Sequence, residues 1–196
     1  MLNKFPLGII IIIILIFTFS ACNSNKQNPS VNPGKGLNDS TDAFTADSFA
    51  YYEHVLIKDS SNSALRIALA TNYYAYKQFD KAIGHLLQVY RTNNKNLEVL
   101  ITLGNVYYDA EQYVEAADFY EKALSLDNKN TNVRCDLATC YLNLKNPDKA
   151  CTLLTKNIEM DYNHAQSHHN LSVVYNQLGK IKEAEEEMNI FNKLSR

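Results

Sequence analysis

The hydrophobic and polar positions from residue 63 onward follow a pattern that returns every 34 residues without a gap. Alanine marks its phase, at Ala82, Ala116, Ala150 and Ala184. Leucine and tyrosine recur in the same register, at Leu69, Leu103, Leu137 and Leu171, and at Tyr73, Tyr107, Tyr141 and Tyr175. A fixed period of this length predicts a stack of helical units, because one unit cannot bury its apolar face alone.

Each unit contains two apolar stripes with helical spacing. In the second unit the first stripe consists of Leu103, Gly104, Tyr107 and Ala110, and the second of Tyr113, Ala116, Tyr120 and Ala123. The polar residues 109–112 between them predict a turn. The small residues Gly104 and Ala116 let the two helices approach closely. In the third unit Asn146 and Pro147 predict a helix start, as an N-cap followed by proline at the first helical position.

These residues resemble the tetratricopeptide repeat (TPR) family. The resemblance covers four repeats, 63–96, 97–130, 131–164 and 165–196. It implies an all-α, right-handed TPR solenoid of helix-turn-helix repeats. The family's frequent tryptophan is replaced by Arg66, Leu100, Arg134 and His168, and its frequent proline by Asn94, Asn128 and Tyr162. We therefore expect less rigid turns between units and unchanged helix packing.

The two ends of the predicted solenoid differ in character. Residues 44–62 predict an N-terminal capping helix with one apolar face, formed by Phe49, Tyr52, Val55 and Leu56. In the last unit the outward positions are polar, namely Glu185, Asn189 and Asn192. A polar outer face keeps a terminal repeat soluble. We therefore expect nine helices in all and a monomer.

The N-terminus is predicted to be a targeting segment. Residues 1–21 contain a basic start and an apolar stretch from Leu7 to Phe19, shorter than the ~20 residues that a membrane-spanning helix needs. Residues 19–22, Phe-Ser-Ala-Cys, resemble a bacterial lipobox with Phe in place of the usual Leu. This implies lipidation of Cys22 and a lipid-anchored protein in a bacterial cell envelope, facing the periplasm or exterior, with the outer membrane favoured. An uncleaved signal anchor and an ordinary cleaved signal remain alternatives.

Residues 22–43 comprise the cysteine whose lipidation the lipobox resemblance implies and a predicted flexible tether, because residues 23–43 are rich in Asn, Ser, Pro and Gly. The net charge and the motifs of the sequence then limit the possible functions. The formal net charge is −2, from 19 basic and 21 acidic residues, so nucleic acid is not an expected partner. The sequence contains no phosphate loop, nucleophile elbow or His-Glu-x-x-His motif. We therefore predict no enzyme, no cofactor and a protein partner.

The TPR resemblance also implies a concave groove lined by the first helix of each unit. The candidate binding residues there are Ile67, Thr71, Tyr74, Glu98, Ile101, Asn105, Tyr108, Asp109, Asp136, Thr139, Asn143, His169 and Asn170. None of the groove positions is Lys or Arg, which excludes the class of TPR proteins that clamp a carboxylate tail. A neutral to weakly basic peptide or helix is the expected ligand, and a solvated face without ligand is the alternative.

Tyr74 and Tyr108 occupy equivalent positions in successive units and are expected to project side by side into the groove. Tyr107 is instead expected in the core.

A second function class depends on the far end of the groove. His164, His168 and His169 lie close together in the sequence, and Cys135 lies one repeat away in the groove, which would suit a metal-binding or small-ligand receptor, or an enzyme. However, His164 falls in a turn, and no carboxylate stands on the same face, so polar residues at a helix start are the favoured interpretation. Cys135, Cys140 and Cys151 are expected to be small buried residues, with a Cys140–Cys151 bridge as the minor alternative. The acidic run 185–187 is expected to be a solvated face.

Overall fold

The computed structural model describes residues 46–196, where the chain forms nine helices and no strand. The predicted signal segment, the predicted lipidation site Cys22 and the predicted tether lie outside the described residues. The helices are α1 Ala46–Lys58, α2 Ser63–Ala75, α3 Phe79–Thr92, α4 Leu97–Asp109, α5 Tyr113–Leu126, α6 Thr131–Asn143, α7 Pro147–Met160, α8 Ala165–Gln177 and α9 Ile181–Leu194. The all-α prediction is confirmed.

The helices pack in the order in which they occur in the chain. The closest packing joins the two helices of one unit, α2 with α3, α4 with α5, α6 with α7 and α8 with α9. Neighbouring units meet where a second helix contacts the next first helix, as α3 does with α4. Because every unit contacts mainly its neighbours, the described residues form a solenoid.

The start of every first helix is capped by a residue that recurs with the period of 34. Asn62, Asn96 and Asn130 each accept a hydrogen bond from the backbone N–H three residues later, at 2.9, 3.2 and 3.1 Å. His164 has this role for α8, where its Nδ1 accepts from the Ser167 N–H at 3.3 Å. Such caps satisfy donors that have no partner within the helix.

The turns inside the units also repeat. Lys77, Glu111, Lys145 and Gly179 have positive φ angles of 58°, 61°, 59° and 73°. Each ends the bend before a second helix. Of the four, Gly179 alone adopts this left-handed conformation without a Cβ penalty.

The turns between units are tied by the residues that replace the family's tryptophan. Arg66 donates to the Ser60 carbonyl at 2.9 Å, and Arg134 donates to the Asn128 carbonyl. His168 Nε2 donates to the Tyr162 carbonyl at 2.8 Å. The predicted loss of rigidity is thus offset in three units by a side chain that holds the carbonyl six residues before it.

The apolar core runs along the whole solenoid, but its composition changes. One cluster joins the first three units, and a smaller one joins the third and fourth. In the second unit the Tyr120 ring fills the space beside Gly104. A polar network lies inside the third unit, where the fully buried Asn157 accepts from Arg134 Nη1 at 2.9 Å and donates to the Thr131 carbonyl at 2.6 Å. It reaches the fourth unit through the bond from Asn157 to Ser167 Oγ at 3.0 Å.

The two ends of the described solenoid differ in their exposed residues. Phe49 and Leu56 of α1 are 8% and 4% exposed, and Phe49 stacks on Tyr73 with ring centroids 4.4 Å apart. At the other end Glu185, Asn189 and Asn192 are exposed. Over residues 46–196, every helix falls short of the length and apolar character required to cross a bilayer.

The His164 cap leads to a prediction about pH. Burial lowers the pKa of His164 below its ordinary value of about 6.5. The fold thus favours the neutral ring, whose unprotonated Nδ1 is the cap acceptor. The contribution of the cap is complete above pH 6.5 and is lost as the pH falls through the lowered value. We expect His164→Asn, the cap of the other units, to remove about 1 kcal/mol of the destabilisation between pH 7 and pH 5.

Urea unfolding of both proteins at the two pH values measures this difference. The same loss of stability in His164→Asn and in the unmodified chain would contradict the role of the histidine.

Candidate peptide-binding groove

The predicted groove residues all lie on the first helices α2, α4, α6 and α8. Two of them, Glu98 and Asp109, are exposed. Eight are half-buried, namely Ile67, Thr71, Tyr74, Ile101, Asn105, Asp136, Asn143 and His169, and three are buried, namely Tyr108, Thr139 and Asn170. The accessible apolar residues of the groove are thus concentrated on α2 and α4.

Tyr74 links the first two units across the groove. Its hydroxyl donates a hydrogen bond to the Asp109 carboxylate, which joins α2 to the end of α4. Burial, together with the bond to Asp109, raises the pKa of Tyr74 well above its usual value. The phenol therefore stays protonated and remains a donor, so its ring is held at a set angle in the groove wall. Such preorganisation reduces the entropy that a ligand must overcome.

Tyr108 is more enclosed than its equivalence to Tyr74 predicts. It is 9% exposed, packs edge-on against Tyr113 at 5.4 Å, and accepts a hydrogen bond from Asn143 Nδ2 at 3.2 Å. The expectation that Tyr108 projects beside Tyr74 as an accessible ring therefore needs correction. Asn143 is also held by the Thr139 carbonyl at 2.9 Å, so this part of the groove is a closed network rather than an open anchor.

Tyr120 was expected only in the core, but its side chain also reaches the groove. Tyr120 lies on the second helix α5, yet its hydroxyl donates to Asn105 Oδ1 at 2.7 Å. Its ring reaches through the space left by Gly104. The sequence signal was present, since Gly104 stands where the other units have Ala or Ser, and Tyr120 where they have Leu or Met.

The exposed charged residues of the groove are all acidic. Glu98 and Asp109 are its exposed charged residues, and the groove positions contain no Lys or Arg. Half-buried Ile101 lies on the same helix, α4, and half-buried Ile67 lies on α2. The arrangement combines apolar contact area with acidic groups, which suits an apolar segment that carries positive charge.

The histidines at the far end each contact other side chains of the fold. His168 is 1% exposed, and its Nδ1 lies 2.6 Å from Glu187 Oε2. His164 is the α8 cap, and its Nε2 lies 2.9 Å from Asn132 Oδ1. His169 packs at a tilt against Phe191. Residues 46–196 contain no group of three His, Cys, Asp or Glu side chains placed to hold a metal ion.

The structure tests two expectations from the sequence, one about the acidic run 185–187 and one about the pair Cys140 and Cys151. The run 185–187 is not solvated throughout, because Glu187 turns inward to His168, while Glu185 and Glu186 are exposed. Cys140 is buried and Cys151 half-buried, and both are free thiols, so the alternative of a bridge between them is wrong. Burial raises the pKa of the Cys140 thiol, which makes it unreactive.

Comparison with known proteins identifies the repeat type. A family model described as "Tetratricopeptide repeat protein 21 forth ARM domain" matches residues 99–196. No curated protein matches the chain.

Solved structures share its architecture. The crystal structure of MamA has a TM-score of 0.70 at 19% identity, covering 76% of this chain and 86% of that one. YrrB, described as "a TPR protein with an unusual peptide-binding site", has a TM-score of 0.67 at 22% identity and covers 76% of each chain. Together with the nine described helices, these likenesses confirm the prediction of a TPR solenoid.

Proposed function

Because the chain belongs to the family described as "Tetratricopeptide repeat protein 21 forth ARM domain", we propose that it is a non-enzymatic scaffold for protein–protein interaction. Its concave groove binds a peptide or helix of a partner protein. The TPR fold supports the general role, and the peptide-binding site named for YrrB is a precedent within the same architecture.

The observation that carries the proposal is the wall formed by α2 and α4. There Tyr74 is held by Asp109, beside accessible Ile67 and Ile101 and the exposed Glu98. An aromatic ring with a restrained rotamer offers contact area at low entropic cost. The ligand is a neutral to weakly basic segment, because apolar and acidic groups recur along this wall without a cation among the groove positions.

Selection of a 15-residue peptide library against the full chain tests the groove. We expect selected peptides to combine apolar residues with Lys or Arg. Their affinity should fall at least tenfold in Asp109→Lys, about 1.4 kcal/mol, and less steeply at high salt. Val114→Asp is the matched control, because Val114 is 65% exposed on a second helix and lies outside the groove. Equal binding by Asp109→Lys and the unmodified chain would overturn the groove assignment.

The site of action is a separate proposal. A lipid on Cys22 would hold the scaffold on a bacterial envelope membrane, facing the periplasm or exterior, with the outer membrane as the favoured location. The apolar stretch Leu7 to Phe19, followed directly by Ser-Ala-Cys, supports it. Two or more acyl chains are needed for stable anchoring, and a lipidated cysteine with an acylated amine supplies them.

Fatty-acid labelling of cells tests the anchor. Cys22→Ser is expected to abolish acyl labelling and to leave either the uncleaved precursor or a released protein. Cys151→Ser, which changes a free cysteine of the folded part, should label like the unmodified chain. Undiminished labelling of Cys22→Ser would rule out the lipobox assignment.

A further inference from the structure

Helix α1 has the register of a second helix. It lies one period of 34 residues before α3, and its Phe49 and Leu56 fill the positions through which α3 contacts the following unit. Both are buried, and Phe49 stacks on Tyr73 of α2. One face of α1 thus makes the contact that second helices make with the next unit.

The other face of a second helix packs against the first helix of its own unit. In the first two units this contact contains a pair of stacked rings at the same two positions. His85 of α3 stacks on Tyr73 at 5.6 Å with an interplanar angle of 7°. Phe119 of α5 occupies the same position and stacks on Tyr107 at 5.5 Å with an angle of 8°. These rings are 9% and 6% exposed. In both units that have a ring at this position, the ring stacks on the first helix of its own unit, and it also contacts the preceding second helix, through Glu53 for His85 and through Tyr90 for Phe119.

Tyr51 stands at this position in α1, and it is 63% exposed. Among the described residues its ring contacts that of its neighbour Tyr52, at 5.2 Å. Val55, one turn further, is half-buried, whereas its counterpart Val89 in α3 is 2% exposed. In the repeating contact between a first and a second helix, α1 thus presents the second-helix side. Within residues 46–196, no first helix covers that side of α1.

The residues one period before α2 do not have the first-helix pattern. Residues 29–41 would occupy the register of the first helix, but they include two prolines and two glycines, and the leucine and tyrosine positions hold Lys35 and Asp39. A second copy of the chain cannot supply such a helix either, because each described first helix is already covered by its own second helix.

We propose that α1 is a docking surface for one amphipathic helix of another protein. The helix has the first-helix pattern Leu-small-x-x-Tyr, packs against Tyr51 and Val55, and completes a unit at the N-terminal end of the solenoid. This surface is continuous with the interface that the described chain repeats four times, and it is separate from the concave groove.

A defined probe tests the proposal. The full chain, purified in mild detergent, is titrated into a fluorescent peptide with the sequence of residues 97–112, which carries this pattern in α4. Fluorescence anisotropy should show saturable binding, at least tenfold tighter than to a scrambled peptide of the same composition. Tyr51→Glu should weaken binding at least tenfold.

Ile57→Glu is the matched control. Ile57 is 78% exposed on the same helix, but its counterparts in other second helices are Arg91, Ser125, Glu159 and Lys193, so it points outward. This variant should bind like the unmodified chain. The proposal is overturned if the scrambled peptide binds equally well, if Tyr51→Glu binds undiminished, or if Ile57→Glu loses as much. Asp109→Lys, which tests the groove, should leave this binding unchanged.

Discussion

Replacing Gly104 by Ala is expected to lower the free energy of unfolding by about 2–3 kcal/mol, although alanine is the better helix former. A Cβ atom at this position would lie 2.5 Å from Tyr120 Cε1 and 2.6 Å from its Cδ1. The ring cannot move aside freely, because Tyr120 is 2% exposed and its hydroxyl is bound to Asn105. The added methyl group therefore forces two packed helices apart.

Gly84→Ala is the control for this substitution. Gly84 also lies inside a helix, but a Cβ there meets no atom within 4 Å. We expect this variant to gain about 1 kcal/mol, because alanine loses less backbone entropy on folding than glycine. Urea unfolding monitored by circular dichroism measures both, and the two glycines should respond with opposite sign.

A second-site change separates steric conflict from other causes. The first and third units pair a small residue with leucine, as Ala70 with Leu86 and Ala138 with Leu154. Gly104→Ala combined with Tyr120→Leu recreates this pair in the second unit. We expect the double variant to be more stable than the sum of the two single losses predicts. Strict additivity would show that Gly104 is needed for another reason.

The repeating features of the fold could be predicted because each follows from one local property that recurs. Apolar spacing defines the helices, and Asn146 followed by Pro147 defines the start of α7. The polar outer positions of α9 likewise follow from residue type alone. Where a feature depends on one side chain at a repeated position, comparing units identifies it before any distance is known.

Enclosure of a side chain by a neighbouring helix was harder to predict. Tyr74 and Tyr108 are equivalent in sequence, yet Tyr108 is closed in by Tyr113 and Asn143 while Tyr74 stays half-buried. The sequence places Glu187 in an acidic run that was expected to be solvated. In the structure it turns inward, because His168 lies opposite it. Such environments depend on pairs from different helices, which the period of one position does not reveal.

Asn157→Val is the second substitution with a large expected effect. The other units have Val89, Ala123 or Phe191 at this position, so the change restores a common residue type. We nevertheless expect it to cost about 3 kcal/mol. It removes the acceptor of the Arg134 guanidinium, which is 3% exposed, and leaves Ser167 without its amide partner. Buried polar groups that lose a partner carry their full desolvation cost. Lys156→Ala, at the exposed neighbour, should change stability by less than ~0.5 kcal/mol.

The second unit shows how the cost of Asn157→Val can be avoided. It has Leu100 and Ala123 where the third has Arg134 and Asn157, so its packing involves no buried charge. Arg134→Leu combined with Asn157→Ala is therefore expected to unfold at a higher urea concentration than Asn157→Val alone, since no guanidinium remains unpaired. If instead the double variant is the less stable, the bonds of Arg134 to the Asn128 carbonyl and Met160 would be the more important part of this contact. In either case the measurement determines whether the packing of α6 against α7 depends on the Arg134–Asn157 pair or on Arg134 alone.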